Sequence, residues 1–192
     1  MTTNLRRSAS ILAALLAGVS SLALLGGCGQ KVANRSPVGE VFPSVPGEGL
    51  DKKQWRIPED MAGKDVLLLI GYDQDTQFDI DRWMLGILQM KTPVAFYELP
   101  TIPGLGAAVM GGMIDDGMRA GIPRDLWGGV ITVYGGAEKI VRFTGNERRQ
   151  NSRLALLDGT GRVIWFWDQG FSPTAMLELD GLVRERAGSG GR

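Results

Sequence analysis

The chain contains no histidine, and its only cysteine is Cys28. Without histidine there is no Ser-His-Asp triad, no imidazole general base and no His-ligated metal. A single cysteine cannot form a disulfide within the chain. Charge of one sign is also lacking, with 21 basic and 21 acidic residues. That balance speaks against nucleic acid, which favours a basic face. What remains for chemistry is carboxylates, Lys, Tyr and Ser/Thr.

The first 27 residues have a distinct composition. Arg6 and Arg7 stand in a polar start without acids, and residues 11–25 are apolar apart from Gly18, Ser20 and Ser21. Such a segment has the form of a secretory signal. Its apolar run is shorter than the roughly 20 residues that a spanning helix needs. Leu25-Gly26-Gly27-Cys28 resembles the bacterial lipobox. The resemblance implies cleavage before Cys28, diacylglycerol on its sulfur and acylation of the new amine. Several acyl chains hold a protein stably at a membrane, and a thioether has no thiol for redox or nucleophilic work. Gly29 follows the cysteine, which resembles the default for the outer membrane in bacteria that have two. Removing Arg6 and Arg7 leaves a slightly acidic chain, long enough for one domain with its own core.

The stretch 29–47 is rich in Gly, Pro, Ser and Asn and reads as extended tether. Residues 50–58 suggest a short extended edge, with Gln54-Trp55-Arg56-Ile57 alternating. The continuous apolar run 65–72 suits a central strand covered on both faces. In 78–90, Ile80, Trp83, Met84, Ile87 and Leu88 recur at helical spacing. A strand is expected over 92–99 and a glycine-rich helix over 105–119. Strands are expected over 127–134 and, after Gly135-Gly136, over 137–144. A hairpin is expected from 153–157 and 162–167 around Asp158-Gly159-Thr160-Gly161. A closing helix over 173–186 presents Met176, Leu177, Leu179 and Val183.

Strand, helix, strand, hairpin and final helix is the order of the thioredoxin fold. Asp81-Arg82-Trp83 and Gly161-Arg162-Val163-Ile164-Trp165, with Gly170 after it, resemble the family of the mitochondrial ATP synthase assembly factor numbered ten. Phe42-Pro43, Leu50 and Ile57-Pro58-Glu59-Asp60 fit the same pattern. The resemblance spans residues 38–183 and implies an α/β thioredoxin-like fold. It implies a central mixed sheet of four or five strands flanked by helices, a closing β-hairpin and a C-terminal helix. It also implies a role in assembling or chaperoning a membrane partner. The expected organisation is a signal peptide over 1–27, lipidated cysteine and tether over 28–37, the domain over 38–186 and a disordered tail over 187–192.

The loop after the first central strand, where a thioredoxin carries its redox cysteines, reads Asp73-Gln74-Asp75-Thr76-Gln77-Phe78. It has no Cys-x-x-Cys. The residues before the final hairpin, Gln150-Asn151-Ser152-Arg153, lack the proline of a redox thioredoxin. A redox-inactive binding module is therefore expected. The candidate partner-binding residues are Asp73, Asp75, Gln77, Asp79 and Asp81, with Met110 and Met113 of the glycine-rich helix, since methionine faces adapt to varied partners. The alternative is a metal-binding protein or enzyme that uses the Asp73–Asp81 carboxylates. As a calcium loop the match is poor, with Phe78 and Met84 where glycine and glutamate are needed. The bland reading is a solvated loop plus helix-start acids that favour the dipole. The glycines do not form a nucleotide cradle: Gly112 is followed by Met113, and Val109 occupies the place of the fingerprint glycine. No cofactor, nucleotide or nucleic acid is expected. The expected partners are a membrane, through the anchor, and an envelope protein.

Overall fold

The structure is a computed structural model that describes residues 31–189, with the backbone alone over 105–110. The expected signal peptide over 1–27, Cys28 and the last three residues lie outside the described residues. The elements in chain order are β1 (Val45–Gly49), β2 (Gln54–Ile57), β3 (Val66–Gly71), α1 (Gln77–Met90), β4 (Ala95–Pro100) and α2 (Leu105–Gly121). They continue as β5 (Ile131–Thr132), α3 (Ala137–Thr144), β6 (Arg153–Leu157), β7 (Val163–Trp167) and α4 (Pro173–Ser189).

The main sheet has the order β4-β3-β6-β7. β3 runs parallel to β4 and antiparallel to β6, and β6 pairs antiparallel with β7. Every residue of β3 is buried, as its unbroken apolar run requires. Its odd and even positions feed two cores. Leu67 and Leu69 face Ile80, Trp83 and Ile87 of α1 and Met176, Leu179 and Val183 of α4. Val66, Leu68 and Ile70 face Ile140 and Val141 of α3 together with Phe42, Ile57 and Met61. The α1 stripe is narrower than expected, because Leu88 is exposed, as is Leu177 on α4.

A smaller sheet, β2-β1-β5, lies beyond β4 and touches it through the bridges Glu98↔Val130 and Thr101↔Val133. β1 is assembled by its two neighbours rather than by propensity. Gly47 allows their approach, since a Cβ there would stand 2.7 Å from Ile131 Cγ2.

The structure corrects three expectations. Residues 137–144 form a helix and not a strand. Ala137, Ile140, Val141 and Thr144 are its buried residues, at helical spacing. Residues 127–134 are mostly not extended: a 3-10 turn covers Arg124–Gly129 and β5 is two residues long. Finally, the presumed tether packs on the domain. Val32 N donates to Asn146 Oδ1 at 2.7 Å and Val32 O accepts from Asn146 N at 2.9 Å. Phe42 is fully buried, and Gly39 and Glu40 exchange hydrogen bonds with Val163 on the outer edge of β7. This strap was expected to be free because its partners are more than a hundred residues away in sequence. At the other end, α4 runs through the start of the expected tail to Ser189.

Trp165, Phe166 and Trp167 alternate as expected. Trp165 joins the core under α4 and donates to Glu178 Oε1 at 2.9 Å. Phe166 packs on the opposite side.

Candidate functional site

The site is built at the C-terminal end of β3, where the chain leaves the sheet before α1. Asp73 closes a capping box on the 3-10 turn Gln74–Thr76. Thr76 is buried and donates to Arg149 O at 2.7 Å. The loop is thus fastened to the segment that leads into β6.

Asp79, in the first turn of α1, makes the second fastening. Its carboxylate accepts from Ser152 N at 2.9 Å, Ser152 Oγ at 2.6 Å and Phe171 N at 2.6 Å. One buried side chain therefore ties α1 to the lead-in of β6 and to the turn before α4. Phe171 then meets Trp83 edge-on, with ring centroids 5.3 Å apart. Expected as a partner-binding acid, Asp79 is instead turned inward and occupied.

Arg153 forms a third fastening that the sequence did not suggest. It opens β6 and is fully buried. Its Nη1 donates to the carbonyls of Arg148 and Asn151, each at 2.6 Å, and its Nη2 to Asn34 Oδ1 at 3.1 Å. The guanidinium lies 5.1 Å from the Tyr72 ring centroid. Tyr72 shares a 2.6 Å hydrogen bond with Thr144. Burial lowers the pKa of Arg153, and burial raises that of Tyr72 well above its ordinary value. The hub is held by carbonyls rather than by a directly bonded carboxylate. Beside it lies a shallow cavity of about 270 Å³ bounded by Asn34, Arg35, Ser36, Phe166 and Asp168.

The other acidic-loop residues, Asp73, Asp75, Gln77 and Asp81, form an exposed rim. Gln77 Nε2 donates to Asp81 Oδ1 at 2.9 Å. No group of three or more Asp, Glu, His or Cys side chains converges among the described residues. Under this rim sits Glu98 of β4, buried and missed by sequence reading because a lone acid in a strand passes for a surface residue. Burial raises its pKa, a hydrogen bond from Gln77 partly offsets this, and the charge of Asp81 adds to it. A carboxyl whose folded pKa exceeds its unfolded value costs stability as pH climbs past the unfolded pKa, about 4.3. Glu98→Gln is therefore expected to stabilise the protein near neutral pH. The gain disappears in acid, where both states are protonated, and urea midpoints at the two pH values check it.

On α2, Met113 is exposed, and the side chain of Met110 lies outside the described residues. The glycines there serve close packing at one place. A Cβ on Gly111 would come within 3.0 Å of the Tyr134 ring, while Gly112 and Gly117 face open space. The single proton of Tyr134 Oη is shared between Gly111 O at 3.0 Å and the buried Asp115 at 2.9 Å.

No family model matches the chain, and no curated protein matches it. Solved structures do. A SCO1/SenC family lipoprotein from Bacillus anthracis aligns at 16% identity over 81% of this chain and 99% of its own, with TM-score 0.53. BsSco, a member of the Sco family of cytochrome c oxidase assembly proteins, aligns at 9% identity over 79% of this chain and 95% of its own, with TM-score 0.53. Copper-bound yeast Sco1 aligns at 12% identity over 80% of this chain and 94% of its own, with TM-score 0.51. At such identities the likeness establishes the fold alone. The protein is thioredoxin-like α/β.

Proposed function

We propose that this chain is an exported lipoprotein, anchored through Cys28, whose thioredoxin-like domain binds or helps assemble envelope proteins without redox chemistry. The observation that carries this reading is the replacement of redox groups by structural ones. Where a thioredoxin brings two cysteines against a proline-bearing loop, Thr76 and Asp79 here bond directly to Arg149 and Ser152. The mature chain would contain no thiol at all, so neither disulfide exchange nor cysteine nucleophilic attack is available to it.

The membrane side of the proposal rests on the signal segment and the lipobox resemblance. Gly29 after the cysteine resembles the default for the outer membrane, which would be the location where the organism has two membranes. An assembly role extends the resemblance to the ATP synthase assembly factor family. It also agrees in kind with BsSco, which belongs to a family of cytochrome c oxidase assembly proteins. Copper, bound in the yeast Sco1 structure, does not carry over. Cys thiolate, His imidazole and, for Cu(I), Met thioether are the ligands that suit copper, and here only Met would remain, without the thiolate or imidazole to complete the set. This chain has no histidine, and its one cysteine is the proposed lipid site. The residues do not fit the metal.

The exposed rim Asp73, Asp75, Gln77 and Asp81 is the proposed recognition surface. The test is crosslinking of the lipidated protein in native envelopes, followed by affinity capture and mass spectrometry. A copy with Asp73, Asp75 and Asp81 changed to Asn runs beside it, with Asp79 left intact because it holds the fold. Reproducible partners that the triple variant loses support the rim. Partners retained by both proteins move recognition to the Met113 face of α2, and no partner in either refutes the binding role.

A further inference from the structure

Residues 32–35 are zipped onto the loop after α3. Besides the Val32–Asn146 pair, Asn34 N donates to Glu147 Oε2 at 3.1 Å, Glu147 N to Asn34 Oδ1 at 2.9 Å and Arg35 N to Thr144 O at 3.2 Å. Gly145 adapts to this contact, since a Cβ there would stand 2.3 Å from Ala33 O. Three residues lie between Cys28 and Val32 in sequence, and the four steps joining them extend at most about 14 Å. An acylated Cys28 thus leaves the domain almost no free tether.

The side chains around this contact are mainly basic. Lys31, Arg35, Arg142 and Arg148 are exposed, and Arg149 is half-buried. The two neighbouring exposed acids are engaged, Glu40 with Arg35 and Glu147 with the backbone of Asn34. A local excess of positive charge stands on a chain that becomes slightly acidic once Arg6 and Arg7 are removed. Basic side chains near an anionic bilayer each contribute about 1 kcal/mol of attraction within a Debye length.

We propose that the face carrying residues 31–35, Arg142, Arg148 and Arg149 lies against the membrane and binds anionic lipid headgroups. The inference rests on the proposed anchor at Cys28. The domain then stands on the bilayer in one orientation, rather than swinging from it.

The test uses the full-length lipidated protein, which has no other thiol, carrying one fluorophore at Gln150→Cys or at Lys64→Cys. Gln150 is exposed and adjoins Arg149; exposed Lys64 follows Gly63, which bonds Gly159 at the far end of β6. In vesicles with quencher-bearing headgroups and phosphatidylglycerol, quenching is expected to be several-fold stronger at position 150. The difference should shrink in phosphatidylcholine alone, in high salt and in the R142Q/R148Q variant. Equal quenching at both positions, or a difference indifferent to headgroup charge and to R142Q/R148Q, overturns the proposal.

Acylation is read separately from the mass of the N-terminal peptide, so failure of the anchor is distinguishable from failure of the face. The full chain with Cys28→Ala decides the basic face without the anchor. It should sediment with phosphatidylglycerol vesicles in preference to phosphatidylcholine, and lose about fivefold in binding for each arginine removed. No preference between the two lipids overturns the face.

Discussion

Arg153→Ala is expected to lower the unfolding free energy by about 4 kcal/mol, a large share of what a domain of this size has. Three hydrogen bonds go at once: Asn151 O loses its donor, while Arg148 O keeps Asn151 N and Asn34 Oδ1 keeps Glu147 N. The acceptor left unpaired costs about 1–3 kcal/mol, and each of the two bonds lost from acceptors that keep a second donor costs about 1 kcal/mol. Relief from burying the guanidinium offsets part of this sum, because a buried cation is itself costly. The truncated side chain also leaves a void beside Tyr72 and Ile70. Arg153→Lys is expected to lose about 2 kcal/mol, since a compact ammonium cannot reproduce the planar fork toward three separate acceptors. Urea unfolding at constant slope measures both. A loss below about 1 kcal/mol for the alanine variant would show that the hub is not holding the site.

Asp79→Ala is expected to cost about 3 kcal/mol through a different route. Two backbone N–H groups and one hydroxyl lose a charged acceptor. Asp79→Asn keeps one acceptor oxygen and should recover about half. The decisive measurement is a double-mutant cycle with Ser152→Ala. Coupling of about 1–2 kcal/mol identifies the carboxylate as the element that joins α1 to β6. Additive losses would mean that the two residues act independently.

The fold was legible wherever a single element carried its own pattern. The apolar run of β3 announced a doubly covered strand, and Ile80, Trp83 and Ile87 announced one face of α1. The helix 137–144 was also written in the chain. Ala137, Ile140, Val141 and Thr144 stand at helical spacing, but Gly135-Gly136 looked like a hairpin turn and the β-branched residues reinforced that reading. β1 was hidden for the opposite reason. Its Val-Pro-Gly-Glu-Gly sequence has almost no strand propensity, and only pairing with β2 and β5 makes it extended.

The candidate site was half legible. The acidic loop and the absence of Cys-x-x-Cys were visible, and Asp73, Asp75, Gln77 and Asp81 are exposed. The inward turn of Asp79, the burial of Arg153 and the pairing of Glu98 under Gln77 were not visible. Each depends on partners distant in the chain, and a charged residue in isolation reads as solvated. Tyr134 was similarly mute until α2 brought Gly111 and Asp115 to it.

The strap also sets an order of events. Val32 finds its partner 114 residues downstream at Asn146, and Asn34 finds Glu147 113 residues away. Gly39 and Glu40 wait for Val163, in the last strand to be made. Contacts of such sequence separation carry the largest loop-closure cost and form late. The earliest described part of the chain to be synthesised thus docks only once β7 exists, and it covers the Val163 end of the outer edge of β7, where an open sheet edge would otherwise accept a strand from another molecule.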